Sequence, residues 1–117
     1  MKILLVEDNL VIQKIERALL EKTGQQVQIA ENGQIAVNFL QGSQVDLILM
    51  DMQMPVMDGI EATKLLRSRG NRTPIIAITG HDTPEDRELC RLSGMNGFIA
   101  KPIKLDLLNQ QITRIFG

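Results

Sequence analysis

The chain has 117 residues, of which 44% are hydrophobic and 23% are charged, and its net charge is -1. That length predicts one domain with its own core, the balanced charge gives no basis for direct binding of nucleic acid, and no apolar run is long enough to span a bilayer. The single cysteine, Cys90, cannot form an intrachain disulfide, and the N-terminal MKILLVEDN turns acidic too early for a signal peptide, so we expect a cytoplasmic location.

Five short apolar runs predict five β-strands, with segments of helical periodicity between them. The runs are Ile3–Val6, Val27–Ala30, Val45–Met50, Pro74–Ile78 and Gly97–Ala100. Four runs are continuously apolar, as in buried parallel strands, whereas QVQI from Gln26 alternates polar with apolar residues, as an edge strand does. The regular alternation predicts an α/β fold: a doubly wound, flavodoxin-like parallel sheet of five strands in the order 2-1-3-4-5, with five helices.

Two of the segments between strands show apolar residues at clear helical spacing. They contain Val11, Ile15, Ala18 and Leu19 near the start of the chain, and Leu105, Leu108, Ile112 and Ile115 at its end. The pair Asn32-Gly33 before Ile35–Leu40 is ambiguous, because Asn-Gly between apolar runs is also a hairpin signal. We interpret this segment as a short helix, since strand and helix alternate along the rest of the chain.

Capping residues predict where several helices begin and end. Asn9 is placed to cap the first helix, and DGIE from Asp58 has the pattern of a capping box. Thr83 followed by Pro84 has the pattern of a cap and a first helical position, and Gly94 is expected to end that helix.

Polar residues follow the four continuously apolar strands at the point where each strand ends. They are Glu7 and Asp8 after the first, Asp51 after the third, Thr79 after the fourth and Lys101 after the fifth. The carboxyl ends of parallel strands share one edge of a sheet, so these side chains are expected to converge. Any one of these residues is most simply explained as a polar loop residue, but the set of acids, hydroxyl and ammonium together matches the chemistry of a single site. Three clustered carboxylates repel one another, and the usual relief is protonation or a hard divalent cation, for which Mg²⁺ is the natural candidate.

Asp51 is the candidate nucleophile of this cluster. If it became an aspartyl phosphate, it would exchange about one negative charge for two. A bound cation and Lys101 would compensate that added charge.

Four motifs in order resemble the receiver domain of bacterial response regulators: LLVEDN, LMDMQMPVMDG, AITG and AKP. The resemblance covers residues 1–117 as a single receiver domain, and DMQMPVMDGIEATKLLR is most similar to receivers of hybrid sensor histidine kinases. It implies a two-component phosphorelay, in which Asp51 accepts a phosphoryl group from a histidine kinase or a histidine phosphotransfer domain.

The resemblance also implies roles for the other residues of the cluster. The implied metal ligands are Asp8, Asp51 and the backbone carbonyl of Gln53, with Glu7 helping through a water molecule. Lys101 and Thr79 would contact the phosphoryl oxygens, and the peptide bond between Lys101 and Pro102 would be cis.

For signal readout, the resemblance points to Thr79 and to an aromatic residue three positions before the lysine, which is Phe98. Their movement would change the surface formed by helix 4, strand 5 and helix 5. Phenylalanine lacks the hydroxyl of the tyrosine often found there, and Phe98 as an ordinary core residue is the alternative.

Gln53 and His81, two residues beyond the acceptor and the threonine, resemble positions that tune loss of the phosphoryl group. Gly80, where the family often has alanine, would let a backbone N–H approach the phosphoryl closely, and Met52 is counted with these switch and tuning positions. His81 also fits an exposed loop residue, and Met52 a gap filler in the core.

Three other functions are weighed against this interpretation. A flavin or nucleotide binder needs a phosphate-binding loop where this chain has Glu7 and Asp8, and no glycine fingerprint occurs. A haloacid-dehalogenase-like phosphatase needs a second aspartate where this chain has Gln53. The open alternative is a phosphate-independent interaction module on the same fold, although the acceptor, the acidic pair and the lysine are all present.

The sequence leaves open which longer protein contains this domain and which partners receive its signal. The domain would catalyse only its own phosphotransfer and dephosphorylation, so whether it counts as an enzyme is undecided. The parent chain is expected to be a hybrid histidine kinase, with a free-standing regulator or a transcription factor as alternatives. An effector domain or a phosphorylation-dependent homodimer is a further expected partner.

Overall fold

The computed structural model describes residues 1–117, and strands alternate strictly with helices along them. The elements are β1 (Lys2–Val6), α1 (Leu10–Glu21), β2 (Gln26–Ala30), α2 (Gly33–Leu40), β3 (Leu47–Asp51), α3 (Gly59–Ser68), β4 (Ile75–Thr79), α4 (Pro84–Ser93), β5 (Gly97–Ala100) and α5 (Leu105–Phe116). The ambiguous segment after Asn32 is a helix, as interpreted, and the Asn32 side chain accepts a hydrogen bond from the Ile35 N–H at 2.9 Å. None of the helices combines the length and hydropathy needed to cross a bilayer.

The five strands form one parallel sheet in the order β2-β1-β3-β4-β5, which confirms the predicted topology. Successive residues of a strand point to opposite faces. In β1, Ile3 and Leu5 therefore join one buried apolar cluster, while Leu4 and Val6 join the other. Side chains of α1 and α5 complete the first cluster, and those of α2, α3 and α4 complete the second, so the sheet is doubly wound.

Strand β5 is less buried than its continuously apolar sequence suggests. Only Ile99 of its four residues is fully buried, whereas β3 and β4 are buried throughout. The reason is position: β5 forms the second edge of the sheet, so it has a single neighbouring strand.

The predicted helix caps are present. The Asn9 side chain accepts hydrogen bonds from the first turn of α1 at 2.9 and 3.0 Å, and Thr83 accepts one from the first turn of α4 at 3.1 Å. Gly94 ends α4 in the left-handed region, with φ of 108°. Asp58 accepts a hydrogen bond from the Glu61 N–H at 2.8 Å, but the Asp58 N–H does not donate to the Glu61 side chain, so the capping box is incomplete.

Of the four apolar residues that predicted helix α1, only Leu19 packs against the core, and it is partly buried. Val11 and Ile15 are 66% and 62% exposed, and the buried residues of this helix are Gln13, Glu16 and Leu20. The Gln13 side chain donates a hydrogen bond of 2.6 Å to the backbone carbonyl of Glu7, so the inner face of α1 contacts the polar end of β1. The apolar spacing predicted a helix correctly but did not indicate which face is buried.

Candidate functional site

The register of the sheet brings the polar strand ends together. Val6 of β1 lies beside Met50 of β3, so the next residues, Glu7 and Asp51, are neighbours. Thr79 lies beside Ala100, and the Lys101 N–H donates a hydrogen bond of 2.6 Å to the Thr79 carbonyl. The predicted convergence of acids, hydroxyl and ammonium at one edge is therefore present in the structure.

Lys101 is paired with two of the acids. Its Nζ lies 3.1 Å from Glu7 Oε1 and 3.2 Å from Asp51 Oδ2. Both carboxylates are buried, at 1% exposure for Glu7 and 3% for Asp51, and a buried charge is tolerated only when it is paired. Burial lowers the pKa of Lys101, but the charges of Asp51 and Glu7 outweigh that effect and raise it overall, so the ammonium form is favoured.

The carboxylates of Glu7, Asp8 and Asp51 are placed to share a cation. One oxygen from each lies within 4.8 Å of the others. Three carboxylates against one ammonium leave a formal charge of about -2, and all the donors are oxygens, so the set fits a hard divalent cation such as Mg²⁺. Partial desolvation, followed by the hydrogen bond with Glu7, raises the pKa of Asp8.

Asp51 is held by its own loop as well as by Lys101. The Gln53 backbone N–H donates to Asp51 Oδ1 at 3.2 Å, which orients the carboxylate at the end of β3. Helix α3 begins directly beneath, where Gly59 donates to the Met52 carbonyl at 3.3 Å. The Gln53 side chain is exposed and makes no hydrogen bond.

Thr79 and the loop after it occupy the other side of Asp51. The Thr79 hydroxyl oxygen accepts a hydrogen bond from the His81 N–H at 3.1 Å, which leaves its own proton available for donation. His81 itself is exposed. A Cβ added at Gly80 would meet no atom within 4 Å, so packing in this structure does not require glycine there.

Phe98 and Met52 lie on the α4 side of the site. Phe98 is half-buried against the apolar cluster, and the Arg87 guanidinium lies 5.0 Å from the centre of its ring. Arg87 also pairs with Asp82 through bonds of 2.7 and 3.0 Å. The half-buried Met52 packs on the same cluster, with its Sδ 3.4 Å from Cys90 Sγ, as a gap filler would.

The peptide bond between Lys101 and Pro102 is cis, as the resemblance implied. Sequence reasoning missed three residues around the site: Gln13 and Glu16 on the inner face of α1, and Arg87 on the ring of Phe98. Polar residues on helices are ordinarily solvent-facing. The one signal was that the polar positions 13 and 16 lie three residues apart, on one face of the helix.

The sequence matches a known family along nearly its whole length. A family model for the response regulator receiver domain matches residues 3–113. Hybrid signal transduction histidine kinase H of Dictyostelium discoideum is 42% identical over 120 residues, which cover 97% of this chain and 9% of that protein. Sensor histidine kinase RcsC of Escherichia coli is 34% identical over 113 residues, which cover 97% of this chain and 12% of that protein. The chain thus spans only a small part of these curated relatives.

Solved structures with the same fold include two that bear on the site. The receiver domain of sensor histidine kinase PA1611 from Pseudomonas aeruginosa is 42% identical with a TM-score of 0.86, covers 97% of this chain and 94% of its own, and has a magnesium ion coordinated in the active site cleft. The receiver domain of the Saccharomyces cerevisiae response regulator Ssk1, in complex with the histidine phosphotransfer protein Ypd1, is 34% identical with a TM-score of 0.88. That match covers 97% of this chain and 86% of the solved one. The resemblance drawn from four short motifs is confirmed, and this chain belongs to the response regulator receiver domain family.

Proposed function

We propose that this chain is the phosphoacceptor domain of a two-component phosphorelay and that Asp51 carries the phosphoryl group. The observation that carries this proposal is the buried Asp51 carboxylate, paired with Lys101 and within 4.8 Å of two further acids. In the reaction, an Asp51 oxygen attacks the phosphorus of a phosphohistidine. The new P–O bond forms as the P–N bond to the imidazole breaks, and the released imidazole takes up a proton from water.

The proposed metal ligands are Asp8, Asp51 and the backbone carbonyl of Gln53, with Glu7 acting through a water molecule. Oxygen donors crowded within 4.8 Å support Mg²⁺ here, as does the magnesium held in the cleft of the PA1611 receiver. When bound, Mg²⁺ would neutralise charge that develops on the transferred phosphoryl oxygens. Lys101, 3.2 Å from Asp51, is placed to bind one of those oxygens, and the Thr79 hydroxyl is placed to donate to another.

Readout is proposed to run from Thr79 and Phe98 to the surface formed by α4, β5 and α5. Phe98 has no hydroxyl to bond outward, and its ring instead contacts the Arg87 guanidinium. Gln53 and His81, two residues beyond Asp51 and Thr79, are proposed as the residues that tune the lifetime of the phosphoryl group, with Gly80 and Met52 as further switch and tuning positions.

The proposed phosphodonor is a histidine kinase or a histidine phosphotransfer domain, and α1 offers a surface for it. Leu10, Val11 and Ile15 are each more than 60% exposed and begin three residues after Glu7. Exposed apolar residues at this density, next to a reactive carboxylate, are typical of an interaction surface. The complex of the Ssk1 receiver with Ypd1 supports a phosphotransfer protein as the partner.

The setting of the domain is proposed from its relatives. Residues 1–117 are taken as one receiver domain within a longer hybrid histidine kinase, since the relatives include such kinases and are much longer than this chain. A cytoplasmic location is consistent with the free, buried Cys90. An effector domain, or a second copy of the chain after phosphorylation, would be the recipient of the change on the surface formed by α4, β5 and α5.

The experiment that tests the function uses acetyl phosphate and Mg²⁺, with intact mass spectrometry as the readout. The wild-type chain should gain one phosphoryl group, and Asp51→Asn should gain none, because an amide is a poor nucleophile. Equal labelling of the two proteins would refute the assignment of Asp51. A wild-type chain that gains nothing from acetyl phosphate or from a phosphorylated histidine phosphotransfer domain would favour the alternative, a phosphate-independent interaction module.

A further inference from the structure

Glu16 is a buried acid on α1 to which the proposed reaction gives no role. It is 4% exposed and lies on the inner face of the helix between Gln13 and Leu20. Gln13, one turn earlier, bonds the carbonyl of Glu7, whereas Leu20, one turn later, lies in the apolar cluster. Glu16 therefore lies on the same buried face of α1 as Gln13, one turn beyond the side chain that bonds the end of β1.

One oxygen of Glu16, Oε1, is fully buried and has no hydrogen-bond partner. An unpartnered buried carboxylate is costly to the fold, and a glutamate at such a position calls for an explanation. Burial, followed by the charge of Glu7, raises the pKa of Glu16 to about 7; Lys101 lowers it and Asp51 raises it further. The charged groups that act on Glu16 are thus those of the pocket itself, from the ends of β1 and β3 and from the residue after β5.

We propose that Glu16 is a fourth acidic group of the pocket, a positioning residue whose negative charge strengthens cation binding by Glu7, Asp8 and Asp51 without contacting the cation. The inference rests on the cation site of the proposed function. No hydrogen bond joins Glu16 to any of the three ligands, so it acts through its field in a region of low dielectric constant.

Thermodynamic linkage makes the coupling between cation binding and ionisation of Glu16 reciprocal. If an ionised Glu16 favours the cation, then the cation favours ionisation of Glu16 by the same factor. Cation binding near neutral pH should therefore release part of a proton from Glu16, and affinity for the cation should rise with pH over the range in which Glu16 ionises. A glutamate that merely fills space would show neither property.

The test compares Mg²⁺ affinity in Glu16→Gln and the wild-type chain by isothermal titration calorimetry, since the chain has no tryptophan or tyrosine to report by fluorescence. The glutamine keeps the shape of the side chain and removes its charge. At about pH 8 we expect Glu16→Gln to bind Mg²⁺ about threefold to tenfold more weakly, and at about pH 5.5 the two proteins should differ by less than about twofold. The matched control is Glu21→Gln, which removes the same charge from an exposed position of the same helix and should change little.

Each outcome bears on one proposal. Equal affinities of wild type and Glu16→Gln at pH 8, a difference that does not shrink at low pH, or the same loss in Glu21→Gln would overturn the role of Glu16. Absence of Mg²⁺ binding in the wild type would instead refute the cation site of the proposed function. If Glu16→Gln does not fold, titration of wild type in two buffers of different ionisation enthalpy still decides: the expected result is release of part of a proton near pH 7, and no release overturns the inference.

Discussion

At the scale of single residues, the proposed acceptor site at Asp51 depends on close packing of the backbone as well as on charge. A Cβ added at Gly59 would lie 2.5 Å from the backbone oxygen of Asp51 and 3.0 Å from Cγ of Met50. Only glycine therefore allows the first turn of α3 to pack against the end of β3. Gly80, on the other side of Asp51, has open space where its Cβ would be.

The substitution Gly59→Ala is predicted to destabilise the protein by about 2 kcal/mol and to slow labelling of Asp51 by acetyl phosphate. Alanine normally stabilises a helix relative to glycine, so the predicted sign is opposite to that of helix propensity. Urea unfolding and intact mass measure the two effects. Gly80→Ala is the control for stability alone and should shift it by no more than about 0.5 kcal/mol. Stabilisation by Gly59→Ala would show that the close approach of α3 to Asp51 does not matter.

At the scale of secondary structure elements, α1 shows which structural features a sequence pattern can predict and which it cannot. Its apolar spacing predicted a helix, and Asn9 predicted its start, because both signals are local. The polar pair at positions 13 and 16 gave only a faint sign of the buried face, since that face depends on the carbonyl of Glu7, which only the folded sheet places beside the helix. By contrast, the convergence of Asp51, Thr79 and Lys101 was predictable, because every strand of a parallel sheet ends at the same edge.

The exposed face of α1 is predicted to bind the phosphodonor. Ile15→Ala should slow transfer from a phosphorylated histidine phosphotransfer domain by about tenfold, as expected for removal of an apolar side chain central to an interface. Labelling by acetyl phosphate, which needs no docking surface, should be unchanged. Leu92→Ala, which removes a 68% exposed leucine from α4, is the control and should leave transfer at the wild-type rate. Equal slowing by the two variants, or an unchanged rate for Ile15→Ala, would argue against α1 as the docking surface.

At the scale of the whole molecule, Lys101 is placed to connect the proposed phosphorylation site to the surface formed by α4, β5 and α5. Its ammonium pairs with acids at the ends of β1 and β3, its N–H bonds the last carbonyl of β4, and it directly follows β5. Four of the five strands therefore meet at this residue. A phosphoryl group on Asp51 would draw the ammonium away from Glu7, because the new group carries about two negative charges. That movement would be transmitted to β4 and β5 through the Lys101 backbone.

We accordingly predict that Lys101→Ala separates phosphorylation from its readout. The variant should keep most of its affinity for Mg²⁺, since the oxygen donors of Glu7, Asp8 and Asp51 remain, and Asp51 should still be labelled, though more slowly. The metal-free variant should be less stable by about 1 to 3 kcal/mol, because the buried Glu7 loses its partner, a loss limited by the partial exposure of Lys101 itself to solvent. Amide chemical shifts measured by NMR before and after labelling should change near Asp51 but not across α4, β5 and α5.

The control for this experiment is Lys104→Ala, which removes the same charge from an exposed residue that makes no side-chain cap bond to α5. Its far surface should respond to labelling as the wild type does. If the far surface of phosphorylated Lys101→Ala shifted to the same extent, the signal would have to pass through Thr79 and Phe98 alone. The pairing of Lys101 with Glu7 and Asp51 would then serve stability and phosphate binding only.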